Sequence, residues 1–315
     1  MRIAKVAMML MYGTGLLLSS ALVAASNPKA LPLPGPNPSA DEVAAQVHFV
    51  NRFFAFKNYA IKETRENVTV LILRTGSGSV TTTTLSRYLN NDYPPQGEIN
   101  AKDLAIFHSG KLRGTGMLII DYTDDARSQS YSIWLPAIRR IRRFAQPAHD
   151  DAWGGSDFTF GDVTLRKPFH ETHELLGQQT FAGCLGAMQD VEVRFLSSPP
   201  APACDHQGKP VYLLKSTTRF PNWWYDYRVS YVDTQNFADY RTEYYKDGEM
   251  IKIIDRHWVS MGLEDPRAQS WGYWYGKTLR TGHETWAVIP QEVVEVNAAT
   301  PESFWSESTL ERIRR

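Results

Sequence analysis

Between residues 68 and 275 the chain runs through short segments rich in β-branched and aromatic residues, broken by Gly, Pro and Asp-Gly turns. Residues 68–74 and 79–88, 117–122 and 129–135 read as strands, followed by 212–218, 225–233, 237–245, 250–259 and 270–275. Gly76 and Gly78 mark the first turn, and Lys246-Asp247-Gly248-Glu249 carries the Asp-Gly signal of a tight hairpin. Strands and helices do not alternate regularly, which argues against a doubly wound sheet or a TIM barrel. The expected fold class is α+β: a strongly curved antiparallel β-sheet with a few helices against one face. The concave apolar face of such a sheet must be covered by helices, side chains or a ligand.

A helix signal precedes the strands. Ser39 and Glu42 have capping-box spacing, and Val43, Val47, Val50 and Phe54 recur on one face, so a helix is expected from Ser39 to about residues 57–58. Upstream, Arg2 and Lys5 precede an apolar stretch that ends in Val23-Ala24-Ala25, the pattern of a secretory signal peptide over residues 1–25. Residues 26–38 hold Pro28, Pro32, Pro34, Pro36 and Pro38 and read as a Pro-rich N-terminal tether. Residues 39–315 then form one domain with a C-terminal extension, in which Pro301 to Ile313 makes a short terminal helix. The expected location is the periplasm after cleavage, with peripheral membrane association open.

The precursor has 34 Lys+Arg against 34 Asp+Glu. Without a net positive field, nucleic acid is not an expected partner. The motifs of common enzymes fail on spacing. In His170-Glu171-Thr172-His173-Glu174 the histidines are three apart instead of the four that put two ligands on one helical face. No G-x-S-x-G elbow or phosphate loop occurs. We therefore expect no catalytic residues, no cofactor and no metal. Cys184 and Cys204 are the two cysteines. In an exported chain an intramolecular disulfide is expected, with free thiols or intermolecular pairing as alternatives.

The most distinctive local sequence is Ile133-Trp134-Leu135-Pro136-Ala137-Ile138-Arg139-Arg140-Ile141-Arg142-Arg143-Phe144. It interleaves four arginines with apolar residues, suited to an anionic headgroup, an acidic partner face or structural ion pairs. With Arg113-Gly114-Thr115-Gly116-Met117-Leu118 and Gly155-Ser156-Asp157-Phe158-Thr159-Phe160-Gly161-Asp162-Val163, it resembles exported outer-membrane lipoprotein-sorting-like proteins of LolA/LolB-type fold. Tyr244-Tyr245-Lys246-Asp247-Gly248-Glu249-Met250-Ile251-Lys252 extends the match in family order. Here Phe160 stands where the family has tyrosine, Gly161 where it has an acid, and Val163 where it has leucine.

The resemblance implies an antiparallel half-barrel covered by helices around an apolar cavity. It also implies noncatalytic binding of a lipid, a lipoprotein acyl chain or another amphiphile, as a carrier or chaperone in envelope transport. Candidate apolar contacts are Phe53, Phe54, Leu71, Leu73, Leu118, Ile120, Trp134 and Leu135, with ordinary core packing the stronger alternative for each. Arg139, Arg140, Arg142 and Arg143 are the headgroup or partner candidates. Expected partners are the amphiphile and an inner- or outer-membrane transport protein, and the oligomeric state stays open. The alternative is a structural or interaction subunit of an envelope export complex, with the Trp223-Trp224-Tyr225 and Trp271 to Tyr275 clusters as partner anchors.

Overall fold

The computed structural model describes residues 29–196 and 199–313. The expected signal peptide and its cleavage site lie outside the described residues. The strands are β1 (Asn58–Ile61), β2 (Thr69–Arg74), β3 (Val80–Asn90), β4 (Ile99–Phe107), β5 (Gly116–Tyr122), β6 (Ser130–Leu135), β7 (Arg140–Phe144) and β8 (Glu171–Thr180). They continue with β9 (Pro210–Thr218), β10 (Tyr227–Asp233), β11 (Asp239–Lys246), β12 (Glu249–Ser260), β13 (Gln269–Thr278), β14 (His283–Val288) and β15 (Val294–Val296). The α-helices are α1 (Ala40–Asn51) and α2 (Glu307–Glu311).

All fifteen strands belong to one antiparallel sheet with the order β7-β6-β5-β4-β3-β2-β14-β13-β12-β11-β10-β9-β8, β1 pairing with β3 and β15 with β1. The order is two meanders joined where β2 pairs with β14. The sheet does not close, because β7 and β8 are its two edges. These edges are consecutive in sequence, so residues 145–170 must cross from one to the other. That connector runs over the inner face as a strap, burying Trp153, Phe158 and Leu165.

The Ser39 capping box forms: Ser39 Oγ accepts from the Glu42 N–H at 3.2 Å, and a Glu42 carboxylate oxygen accepts from the Ser39 N–H at 2.8 Å. The helix ends at Asn51, about six residues sooner than the spacing suggests. Phe53 adopts a positive φ of 55° and turns its ring inward, stacked on Tyr59 at 3.8 Å. Asn91 Nδ2 donates to the carbonyls of Arg52 and Phe53 and so holds the turn. α1 packs on β8 and β9. The Pro-rich segment, where described, lies against the body: the Pro32 carbonyl accepts from Gln46 and the Leu31 carbonyl from Arg267, both at 2.7 Å.

Irregular chain covers more of the sheet than helix does, which differs from the expected helical cover. The loop from Phe181 to Lys209 packs Phe181, Leu185 and Met188 into the main core, and its Cys184–Cys204 disulfide closes it with Cα atoms 4.2 Å apart. The C-terminal tail covers the outer side of β4, β5 and β6, where Trp305 and Leu310 bury Leu104 and Leu118. Gly116 permits its approach, since a Cβ there would fall on Ile313 Cδ1 and 2.8 Å from Leu310 Cδ2.

Candidate functional site

Two adjoining chambers lie between the inner face, α1 and the strap. The first is apolar, about 50 Å³, with Leu71, Leu85, Trp153, Phe158, Ala287 and Ile289 among its walls. Strand alternation sends Thr69, Leu71 and Leu73 inward while Val70 and Ile72 point outward. Phe158 meets Trp274 edge-on at 5.3 Å, and Trp274 meets Trp271 edge-on at 4.9 Å. The second chamber, about 60 Å³, lies beneath α1 and is charged. Arg52, Arg166, Lys167, Arg228 and Arg256 line it, with Asp162, Glu171 and Asp239. Val163, Trp271 and Trp274 belong to both walls.

The strap carries the Gly-Ser-Asp-Phe motif, and the geometry explains its acids. Asp157 accepts from Thr278 and Thr285 at 2.6 and 2.7 Å and pairs with His283 Nδ1 at 2.6 Å, pinning the strap to β13 and β14. Asp162, fully buried, takes Arg166 at 2.9 Å, Lys252 at 3.2 Å and the Tyr244 hydroxyl at 2.5 Å. Burial alone would raise its pKa, but Lys252 and Arg166 hold the carboxyl well below the usual range. Glu171 has the same logic. Burial opposes its charge, yet Arg228, at 2.9 and 2.7 Å, brings its pKa to about 2.

Five buried polar atoms on these walls make no hydrogen bond with the described residues: Thr69 Oγ1 and Trp153 Nε1 in the apolar chamber, Arg256 Nε in the charged one, and Trp271 Nε1 and Trp274 Nε1 on the wall common to both. Arg256 spends one terminal nitrogen on Asp239 at 2.7 Å and lies over the Trp274 ring at 4.2 Å. Arg52 donates to the Thr164 carbonyl at 3.1 Å and stands 3.8 Å from Asp121.

A separate group, Asp205, His206 and His257, brings three possible metal-ligand atoms within 4.8 Å of one another. His257 Nε2 stands 3.2 Å from Asp205 Oδ2. His206 Nε2 accepts the backbone N–H of Trp258 at 3.2 Å, which commits that lone pair and leaves a protonated Nδ1 in the neutral ring. This arrangement does not fit a three-ligand ion. His170 and His173 are likewise engaged: His170 Nδ1 accepts the Lys167 N–H at 3.1 Å, and His173 bridges Ser216 and the Pro168 carbonyl.

With this geometry in view, comparison with known proteins is informative about the fold. A family model described as "Uncharacterized protein" matches residues 100–192. No curated protein matches the sequence. An outer membrane lipoprotein-sorting protein domain from Vibrio parahaemolyticus has a TM-score of 0.63 at 15% identity, over 86% of this chain and 100% of that one. A DUF1329 family protein from Desulfovibrio piger has a TM-score of 0.62 at 15% identity, over 87% and 100%. A LolA superfamily protein from Nitrosomonas europaea has a TM-score of 0.51 at 11% identity, again over 87% and 100%. The fold is LolA-like.

Within this LolA-like frame the sequence-derived candidates separate. Leu71 lines the apolar chamber, and Leu73 lies beside the same core. Phe53 is buried against Tyr59 and Trp271, and Phe54 packs on Phe49 and His48 away from both chambers. Leu118 and Trp134 sit on the outer face with the tail, and Ile120 shares that face by alternation. Leu135 is half-buried at the end of β6. The structure therefore does not gather the eight apolar candidates into one cavity. Arg139, Arg140 and Arg142 are exposed at the β6–β7 hairpin, and Arg143 forms a two-pronged pair with Glu307 at 2.8 and 2.7 Å. Trp134 and Arg139 do meet Arg113 along an open outer groove.

The aromatic clusters considered as partner anchors are mostly inside. Trp224 stacks on Tyr244 at 4.9 Å, Tyr225 donates to Glu171 at 3.0 Å, and Trp271 and Trp274 are chamber walls. Sequence reasoning missed Arg52, Trp153, Phe158 and Arg256 as chamber residues. Phe158 sat within the motif tract, but the inward direction of the strap was not readable from it.

Proposed function

We propose that this chain is a noncatalytic periplasmic carrier or chaperone for a lipid, a lipoprotein acyl chain or a related amphiphile. The carrying observation is the apolar, indole-walled chamber held between the strap and the inner face of a LolA-like sheet. Burying each CH₂ there contributes about 0.8 kcal/mol without a specific polar partner. Ligand pockets for molecules of drug size hold roughly 300–1,000 Å³, so loading requires the strap or α1 to move outward. The acids near the chambers support a noncatalytic reading, since Asp162 and Glu171 are committed to ion pairs and Asp157 to hydrogen bonds with Thr278, Thr285 and His283. The test is native mass spectrometry with lipid extraction on protein isolated without delipidation. A bound amphiphile that an acyl probe displaces is expected; protein repeatedly free of amphiphile and indifferent to the probe contradicts the reading.

The exposed hairpin favours a second reading, an interaction subunit of an envelope transport complex. Ile138 and Phe144, about half exposed, flank the exposed Arg140 and Arg142. This combination suits an acidic protein face or an anionic membrane surface. Crosslinking in intact envelopes distinguishes it: a stable partner captured through the hairpin, with no extractable amphiphile, supports the second reading over the first.

A further inference from the structure

The carrier reading leaves the charged chamber unexplained, and the following rests on that reading. We propose that this chamber is the headgroup site for an anionic amphiphile, whose acidic oxygens take hydrogen bonds from Trp271, Trp274 and Arg256 while its chain enters the apolar chamber.

Three independent features lead to this assignment. The first is chemical valence. Trp271, Trp274 and Arg256 are only 5%, 4% and 3% exposed, and the Nε1 or Nε nitrogen of each lacks a partner among the described residues. Indole and guanidinium groups donate and do not accept. A group completing these sites must therefore bring acceptor oxygens; a cation or a second donor is excluded. Buried donors are normally paired, so the two indoles of the shared wall and the adjoining Arg256 call for an acceptor.

The second feature is charge. Five cations line the chamber against three carboxylates. Asp162 and Glu171 are drawn close to Arg166 and Arg228, and Asp239 to Arg256. Arg52 gives one N–H to the Thr164 carbonyl at 3.1 Å and has Asp121 only at 3.8 Å, beyond hydrogen-bond reach, so its five-donor guanidinium has capacity for an anion. The third feature is continuity. Val163, Trp271 and Trp274 form a common wall between the charged and apolar chambers. A ligand with one acidic end and one apolar end fits both sides of that wall. The charged side, at about 60 Å³, accommodates a carboxylate or phosphate-sized group rather than a whole lipid.

The shared chemistry is an anionic oxygen cluster, which a lipid headgroup or a free inorganic anion could supply. The test titrates the protein at neutral pH with hexadecanoate, with methyl hexadecanoate and with inorganic phosphate. We expect hexadecanoate to bind at least about tenfold more tightly than its uncharged ester, because bonds from neutral donors to a charged acceptor are the stronger kind. The variant Trp271→Phe/Trp274→Phe keeps the ring stack and removes both N–H groups. It should cut the preference for hexadecanoate over the ester by about threefold or more, with Arg256 and Arg52 keeping the remainder. Circular dichroism verifies folding, and Trp274→Phe alone, with a smaller loss of the same sign, replaces the double variant should the latter not fold.

Equal binding of acid and ester by the native protein overturns the headgroup site and leaves the carrier reading standing. Binding of phosphate without either lipid overturns both, assigning the chamber to a free anion. No binding of any probe also overturns both.

Discussion

At the scale of single residues, the inner face is held by charge pairs that cannot be broken from one side. Asp162 neutralises Arg166 and Lys252 with no exposure of its own carboxylate. Asp162→Asn leaves both cations buried without a counter-charge, so we expect about 3–5 kcal/mol of stability to be lost, read from chemical denaturation. The pH dependence follows from groups whose protonated form is disfavoured in the fold. Burial and then Arg52 depress His48 to about 3, and burial brings His206 to about 4, both from 6.5. Glu171 sits at about 2 against 4.5. All three bind protons more readily when unfolded, so their contributions are complete above the unfolded values and lost as pH falls. Stability should decline from about pH 6.5 downward, by up to about 1.4 kcal/mol per pH unit for each titrating histidine, and again from about 4.5 to 2 as Glu171 takes a proton. Urea titrations across pH 3–8 check this; stability flat from 7 to 5 contradicts the histidine assignment. Asp157 and Asp162 were visible in the sequence only as members of a motif. Apart from Arg166, four positions from Asp162, the partners in their roles as a clamp on β13–β14 and a buried counter-ion lie some eighty to one hundred and thirty positions away, which no local pattern encodes.

At the scale of elements, the strap and the tail do what helices were expected to do. The Asp157 clamp predicts that Asp157→Asn, which removes the charge facing His283, loosens residues 145–170. Limited proteolysis should cut the strap several times faster while the far-ultraviolet spectrum is kept, and an unchanged cleavage rate would disprove the clamp. The tail has its own test. Gly116→Val places a branched side chain where Ile313 and Leu310 pack; overpacking of this kind costs about 1–3 kcal/mol. Faster hydrogen exchange in residues 302–313 than in the strap is the expected signature. Elements with β-branched runs, such as β2, β5 and β12, were legible from sequence. β4 and β8 were not: Asp103 interrupts the apolar pattern of β4, buried against Arg87 of the adjacent β3, and β8 is mostly polar, opening on Glu171, which is buried against Arg228 two strands away on β10. The face of Leu118 and Trp134 was equally hidden. Alternation tells which residues share a face, but both faces of this sheet are covered, so apolar character alone does not say which one looks inward.

At the scale of the whole molecule, two meanders make an open sheet, and the chain that joins its edges crosses the inner face. The strap is thus a consequence of the topology, and the chamber beneath it follows. The curved antiparallel architecture was legible from the run of short strands, and the resemblance placed it in the LolA/LolB class. The charged chamber was not legible, since its arginines come from the residue just past α1, the strap, β10 and β12. Away from the chamber, the Cys184–Cys204 bond restrains a loop of twenty positions in the unfolded chain. Cys184→Ser/Cys204→Ser should therefore lower the stability by about 2–4 kcal/mol, read from the denaturation midpoint, without loss of amphiphile binding. The central claim is that an amphiphile occupies the space between strap and inner face. It is tested most directly by labelling the protein with a photoactivatable fatty acid and mapping the adducts. The account predicts competitor-sensitive adducts on peptides spanning residues 153–165 and 271–289. Adducts confined to the outer groove and the 136–144 hairpin, with the inner peptides unlabelled, would contradict it.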